Sequence, residues 1–368
     1  MKHWQRRHNL SSRLTEAGLG ALVVTSLINV RYLTGFTGSN AALLVFADDR
    51  GSLLVTDSRY RTQAQHQVPE LEVLIERAGV GALVSRAAQA GVHKLGFESH
   101  VMTVDGLAAL TEVLAREAAT AELVRAPGLV EALREVKDAD EVASLRLACE
   151  AADAALAALV GGGGVRPGRT ERAVARELEA LMLDHGADAV GFETIVAAGS
   201  HSAIPHHRPT DSVLAAGDFV KIDFGAQVAG YHSDTTRTFV LSPAADWQRE
   251  VYQVVAAAQQ VGCTKLVPGA RVRDIDAAAR QVITDADYEQ FGHGLGHGVG
   301  LQVHEAPTIG ATAAGTLLAG SVVTVEPGIY LPDRGGVRIE DTLVVANATP
   351  DGQTSELLTR FPKELTIL

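Results

Sequence analysis

Hydrophobic and polar positions change their rhythm part-way along the chain. Over the first third, apolar runs such as GALVVTSLINVRYLTGF, AALLVFADDRGSLLVTD and LEVLIE alternate with stretches whose apolar residues recur at helical spacing, SSRLTEAGL and GLAALTEVLAREAATAEL. Val/Leu/Ile-rich runs bounded by turn residues predict strands, and the i, i+3, i+4 pattern predicts helices. Asp49-Arg50-Gly51 breaks the second run into a hairpin, and Ser11 or Ser12 is placed to cap the first helix. The alternation predicts an α/β domain over residues 1–126, ending near Ala126-Pro127-Gly128.

From residue 127 the segments lengthen. VEALREVKDADEVASLRLACEAADAALAALV reads as one long helix, closed by Gly161 to Gly164 and Pro167-Gly168. Four glycines also invite a phosphate-loop reading, but no Gly-Lys-Ser/Thr follows, so a plain helix C-terminus is preferred. ERAVARELEALMLDHGA is a second helix, and FVKIDFGAQVAGYHSDTTRTFVL is two extended runs around a turn. Then WQREVYQVVAAAQQVGCTKL and VRDIDAAARQVITDA read as helices, and SVVTVEPGIYLPDRGGVRIEDTLVVA as two more extended runs. Helix–helix–hairpin thus occurs twice. That order predicts a duplicated α+β unit over residues 127–368, its two hairpins side by side.

Composition narrows the partners. At 368 residues the chain suffices for two domains, and a net charge of −12 leaves no basic footprint for nucleic acid. Its longest apolar runs, such as ALVVT, are too short to span a bilayer, and MKHWQRRHNLSSRLTEAGLG lacks the apolar stretch of a signal peptide. Cys149 and Cys263 belong to no C-x-x-C pair, which points to a reducing cytoplasm rather than a disulfide framework.

The candidate chemistry lies on the hairpins. Strand side chains alternate faces. Val220, Ile222 and Phe224 point one way, and Lys221 and Asp223 the other. Asp234 shares a face with Thr236 and Thr238, Glu326 with Thr324, and Glu340 with Arg338 and Thr342. A carboxylate in a buried strand must be paired or hold a cation. The plainer reading is a solvated sheet face, its acids salt-bridged to Lys221, Arg237 and Arg338. If the four acids converge, those cations are too few. FGHGLGHGVGLQVHE adds His293, His297 and His304 among five glycines. Four carboxylates and a neutral imidazole match two divalent cations in charge, the composition of a two-metal hydrolytic site. Oxygen-rich ligation suits Mn²⁺, with Co²⁺ or Zn²⁺ as alternatives. His304-Glu305 is not followed by the second histidine of H-E-x-x-H.

The ordered set SAIPHH, KIDFG, HSDTTRTF, GHGLGHGVGLQVHE, VEPGIY and GVRIEDT resembles the metallopeptidases of the pita-bread fold, and more narrowly the Xaa-Pro peptidases, prolidase and aminopeptidase P. YLTGFTGSN and LLVTDSRYR are similar to the N-terminal domain these enzymes carry. The resemblance implies an α+β chain: a catalytic pita-bread (creatinase/aminopeptidase-like) domain at 127–368 behind a smaller α/β domain at 1–126. It implies that Asp223 chelates a first ion, that Asp234 and Glu340 bridge two, and that His297 and Glu326 hold the second. Glu326 would also steer the attacking water and pass its proton on. His304 would donate to the scissile carbonyl oxygen, and His206 would bind substrate and stabilise developing charge. His293 and Tyr330 would line a proline pocket, and Arg338 would hold the site's carboxylates at its substrate side. His207 receives a plain structural reading. The implied substrate is a small peptide with proline in second place, and the implied enzyme a cytoplasmic homodimer that binds neither membrane nor nucleic acid.

Two other classes compete. A binding scaffold of this fold would be expected to lose metal ligands, and a creatinase-like hydrolase of non-peptide amides lacks the full set; here all five positions are intact. Dipeptidase and aminopeptidase P both remain open, with dipeptides favoured. A dipeptidase must engage the product-side carboxylate, and Arg59 or Arg61 of DSRYR are candidates for it.

Overall fold

The computed structural model describes residues 3–48, 50–77, 79–117, 120–346 and 355–368. Two compact units divide the chain, Met1–Arg134 and Glu135–Leu368.

The first unit is built on six strands: Ala21–Val24 (β1), Ala41–Phe46 (β2), Ser52–Thr56 (β3), Glu72–Ile75 (β4), Lys94–Phe97 (β5) and Glu122–Arg125 (β6). They form one sheet in the order β4-β3-β2-β1-β5-β6. Its helices are His3–Glu16 (α1), Leu27–Thr34 (α2), Arg61–Gln67 (α3), Gly79–Gln89 (α4), Val104–Arg116 (α5) and Glu131–Arg134 (α6). Val23, Leu44 and Val55 of the sheet pack with Leu83 of α4 and Leu110 of α5 in one core. β2 and β3 pair antiparallel, as the Asp49-Arg50-Gly51 break predicts; Asp49 itself lies outside the described residues.

Two local expectations are corrected here. GALVVTSLINVRYLTGF is not all extended: β1 gives way to α2, whose Val30, Leu33 and Thr34 are buried at helical spacing. Gly35 closes that helix at φ 81°, its amide on the Arg31 carbonyl at 2.7 Å, a left-handed position that suits glycine. Ser11 and Ser12 lie inside α1 rather than capping it. Their hydroxyls bond back to the carbonyls of Arg7 (3.1 Å) and His8 (3.3 Å), a geometry open to serine in mid-helix.

The second unit opens with helices Ala139–Gly161 (α7) and Glu171–Asp184 (α8). The single long helix expected before the glycine run is therefore two, α6 and α7. Asp138 caps α7 reciprocally with Glu141, at 2.9 and 3.0 Å, which fixes a helix start inside the apolar pattern. At the far end the amides of Gly162 and Gly164 bond the carbonyls of Ala158 and Leu159, so the glycines end a helix.

The first set of strands follows: Ala189–Val190 (β7), Ile195–Ala198 (β8), Phe219–Phe224 (β9), Ala226–Val228 (β10), Tyr231–His232 (β11) and Thr235–Val240 (β12). After helices Asp246–Thr264 (α9) and Val272–Asp285 (α10) come Gly296–Gly298 (β13), Glu305–Ile309 (β14), Val322–Val325 (β15), Gly328–Leu331 (β16), Gly335–Arg338 (β17), Asp341–Val345 (β18) and Ser355–Leu357 (β19). β9 lies between β8 and β12, and a second sheet runs β14-β13-β15-β18-β19. Leu156, Leu178, Ile222 and Phe239 belong to one core, under α7 and α8. Val255, Ile275, Val325 and Val337 belong to another, under α9 and α10. The two hairpins are side by side: the Glu340 amide donates to the Thr236 carbonyl (3.1 Å), and Thr238 Oγ1 to the Arg338 carbonyl (2.9 Å). Each long extended run is interrupted where a candidate acid falls, at Asp234 before β12, Glu326 after β15 and Glu340 before β18. The expected α+β architecture, a smaller α/β unit followed along the chain by a larger unit of paired helices and hairpins, is the one observed.

Candidate active site

Asp223 reaches the site because its neighbours need the opposite face. Val220, Ile222 and Phe224 are fully buried against α7 and α8, so the alternation turns Lys221 and Asp223 toward the second hairpin. Asp234, Glu340 and Asp223 are buried, and the Glu326 side chain is 17% exposed. His297 enters from β13, whose glycines permit its close approach. A Cβ on Gly296 would stand 2.0 Å from the Thr324 carbonyl oxygen, and one on Gly298 2.1 Å from that of Ala306. His297 Nδ1 bonds the Gly298 carbonyl at 3.1 Å. As donor there, Nδ1 leaves Nε2 a lone pair, aimed at Asp234 Oδ2 (3.6 Å) and Glu326 Oε1 (3.5 Å). Ligand atoms of Asp234, His297 and Glu340 all lie within 4.8 Å of one another.

Arg338 completes the convergence. Its guanidinium is bonded to Asp223 and lies 3.9 Å from Glu326 Oε2. Of the three cations in the plainer reading, it is the one that joins the acids. Arg237 turns to Asp341 Oδ1 (2.8 Å) and the Phe361 carbonyl (2.7 Å). Lys221 donates to the carbonyls of Ile204 (2.6 Å) and Pro205 (3.2 Å). Burial, and then the charge of the other carboxylates, pushes Asp234 and Glu326 well above the carboxylate range and Glu340 up to about 8. Burial, and then His304, lowers His297 to about 4, which keeps its imidazole neutral as a metal ligand must be. Among the described residues, Asp223 Oδ1 is buried without a hydrogen-bond partner. An orphaned carboxylate oxygen, a carboxylate cluster that resists full ionisation and a neutral imidazole form a donor set that fits two divalent cations.

The remaining candidates stand around this cluster. His293 Nδ1 donates to the Gly294 carbonyl (2.7 Å), so its Nε2 accepts from the Tyr330 hydroxyl (2.9 Å), whose oxygen accepts from Arg338 Nη1 (3.0 Å). The His293 ring lies 5.0 Å from that of Phe291 and 5.7 Å from that of Tyr330, giving a partly aromatic wall. The exposed His304 has its ring 4.3 Å from that of His297, and burial followed by the nearby His206 lowers its basicity. His206 is exposed. His207 turns away to Glu171, in keeping with its plain reading. In the first unit, Arg59 is committed to Asp57 through two bonds of 2.9 and 2.8 Å. Sequence reasoning gave no role to Thr236, whose hydroxyl donates to Glu340 Oε2 (2.7 Å) and accepts from Arg338 Nε (3.1 Å). The face it shares with Asp234 was the available signal.

Residues 143–347, more than half the chain, match metallopeptidase family M24. The chain belongs to this family. Residues 6–136 match the creatinase/prolidase N-terminal domain. The peptidase YqhT of Bacillus subtilis is 41% identical over 99% of both chains. Among solved structures, an Xaa-Pro dipeptidase from Bacillus anthracis is 37% identical, superposes with a TM-score of 0.92 and is covered fully in both directions. An X-Pro aminopeptidase from Thermotoga maritima is 32% identical with a TM-score of 0.86, covering 97% of this chain and 100% of its own. As an M24 member the chain is a metal-dependent peptidase, the enzyme class expected from its motifs.

Proposed function

We propose that the protein is a dinuclear metal-dependent exopeptidase that cleaves the Xaa-Pro bond at the N-terminus of short peptides, with dipeptides preferred. The observation that carries this reading is the meeting of four carboxylates and His297 Nε2 beside the wall formed by His293, Tyr330 and Arg338. Asp223, Asp234, His297, Glu326 and Glu340 hold two divalent ions, Mn²⁺ before Co²⁺ or Zn²⁺. Ions bound there polarise the scissile carbonyl and lower the pKa of a water to about 7.

The chain's own residues do the rest. An Xaa-Pro bond is a tertiary amide without an N–H, so its nitrogen must gain a proton before it leaves. Glu326, as the carboxylate, takes the proton from water and delivers it to that nitrogen. His304 donates to the carbonyl oxygen as negative charge develops, and His206 supports the same charge. His293 and Tyr330 shape the wall for the proline ring, while Arg338 holds Asp223 and the Tyr330 hydroxyl in place. The substrate's free α-amino group approaches the carboxylates, which limits attack to the first bond.

The reading includes a division into residues 1–126 and 127–368 and a homodimer working in the cytoplasm. Both cysteines are unpaired thiols, and no helix among the described residues is long and apolar enough to cross a membrane. Aminopeptidase P activity on longer peptides is the second reading, favoured by the similarity to the Thermotoga maritima enzyme.

Hydrolysis of Ala-Pro, Ala-Pro-Ala, Ala-Ala and N-acetyl-Ala-Pro under Mn²⁺ tests each clause. Ala-Pro is expected to turn over fastest, Ala-Ala barely, and the acetylated peptide not at all. Faster cleavage of Ala-Pro-Ala would make the enzyme an aminopeptidase P. Efficient cleavage of Ala-Ala would overturn the proline assignment, and turnover of the acetylated peptide the amine anchor.

A further inference from the structure

We propose that Glu171 is a positioning residue for the reaction: through His207 and Thr210 it fixes the loop that carries His206 at the edge of the site. The inference rests on the reading of His206 as a group that stabilises charge on the substrate.

Glu171 opens α8 and is wholly buried. Thr170 caps that helix, so the carboxylate sits at its N-terminus, where negative charge is favoured. Glu171 Oε1 accepts the Ala198 amide (2.9 Å) and pairs with His201 Nδ1 (2.9 Å). Glu171 Oε2 pairs with His207 Nε2 (2.8 Å) and accepts the amide (2.9 Å) and hydroxyl (2.7 Å) of Thr210. These partners run from residue 198 to residue 210, so one side chain gathers both ends of the loop. Burial opposes its charge, but the bonds from Ala198, His207 and Thr210 outweigh that and hold the acid at about 2.

The trio Glu171, His201 and His207 also has ligand atoms within 4.8 Å, the spacing of a metal site. Five partners already occupy the two carboxylate oxygens, and the histidines spend their facing nitrogens on them. The arrangement is a saturated hydrogen-bond clamp, with little lone-pair capacity left for a cation.

The other side of the loop is held from the catalytic strands. Lys221, on the strand of Asp223, donates to the carbonyls of Ile204 and Pro205, and Arg338 Nη1 donates to that of Pro205 (3.1 Å). The residue before His206 is therefore anchored to the site, and the residue after it to Glu171. His201 and His207 stack with ring centroids 4.4 Å apart. Of the loop's three imidazoles, His206 is the one that neither clamps Glu171 nor is buried. Buried groups on both sides fix the backbone of an exposed imidazole. Positioning of this kind matters because a displacement of about 1 Å at a reacting group can cost about 100-fold in rate.

A double-mutant cycle on the metal-loaded enzyme reads the coupling. Glu171→Gln should lower kcat about 10- to 100-fold on Ala-Pro, with KM changed less than about threefold and metal content unchanged. In a His206→Ala background the same change should lower kcat less than about threefold, because the group it positions is gone. Losses that multiply in the double variant would overturn the proposal, since Glu171 would then act on the site or fold at large. Undiminished kcat in His206→Ala alone would overturn the reading of His206, and is visible without any change at Glu171. Should Glu171→Gln fail to fold, a pair at His207 decides. His207→Gln keeps a donor for Glu171 and should retain turnover within about threefold, while His207→Phe keeps the ring but no donor and should fall as Glu171→Gln does. Full turnover in His207→Phe would contradict the proposal.

Discussion

His297 and His304 lie ring to ring, but their nitrogens face different company. His297 Nε2 is surrounded by carboxylates, while His304 stands at the exposed side of the cluster. The proposed roles predict different losses. His297→Ala should bind less metal by elemental analysis. His304→Ala should keep its metal and lose about 100- to 1,000-fold in turnover, the scale for removing one transition-state donor. The reverse pattern would mean the two roles are exchanged. Much was legible at this scale, because alternation along the strands sorted Asp223 from Ile222 and Glu340 from its neighbour Asp341. Arg237 and Lys221 were not, since alternation gives a face and says nothing of what faces it. Arg237 spends its charge on Asp341, and Lys221 on two backbone carbonyls.

Buried polar ties join elements of the second unit. Asp341, at the start of β18, receives Arg237 from β12, Gln259 from α9 (2.8 Å), Thr359 (2.8 Å) and Lys363 (2.6 Å). Its side chain is fully buried. Removing one partner of a buried pair leaves a charge uncompensated, at a cost of about 3–5 kcal/mol. Asp341→Ala should therefore lower the unfolding free energy measured by denaturant titration by that scale, while the folded variant retains its metal. A loss below about 1 kcal/mol would show that the tie is dispensable. Element boundaries were the least legible feature. The apolar residues of α2 follow β1 without a polar break, and only Gly35 marks the end of the helix. The split between α6 and α7 was signalled by the Asp138 and Glu141 capping pair, within a pattern that otherwise reads as continuous.

Across the catalytic unit, two cores built from similar helix pairs and hairpins flank one cluster of acids. The duplicated order was visible in the sequence, whereas the contacts that join the halves, such as Thr236 to Glu340, depend on packing. Gathering the acids makes the metal-free protein sensitive to pH. Glu340 rises from the ordinary 4.5 to about 8, and Asp234 and Glu326 rise with it. A group whose folded pKa is raised binds more protons when folded, so its stabilisation is present below its unfolded pKa and lost as pH climbs through the folded value. The chelated protein should thus lose thermal stability between about pH 4.5 and about pH 8. Mn²⁺ should raise the Tm more at pH 8 than at pH 5, because it replaces the protons that hold the acids together. Calorimetry at the two pH values, with and without metal, checks the sign. An equal Tm gain at both would contradict it.

The central claim is that this cluster works as a two-ion hydrolytic centre, and returning metal to the chelated enzyme tests it most directly. Ala-Pro turnover, followed as Mn²⁺ is added to stripped protein, should start near zero and level off at two equivalents per chain. Full turnover in protein verified to be metal-free, or turnover that ignores added metal in a folded chain, would contradict the account.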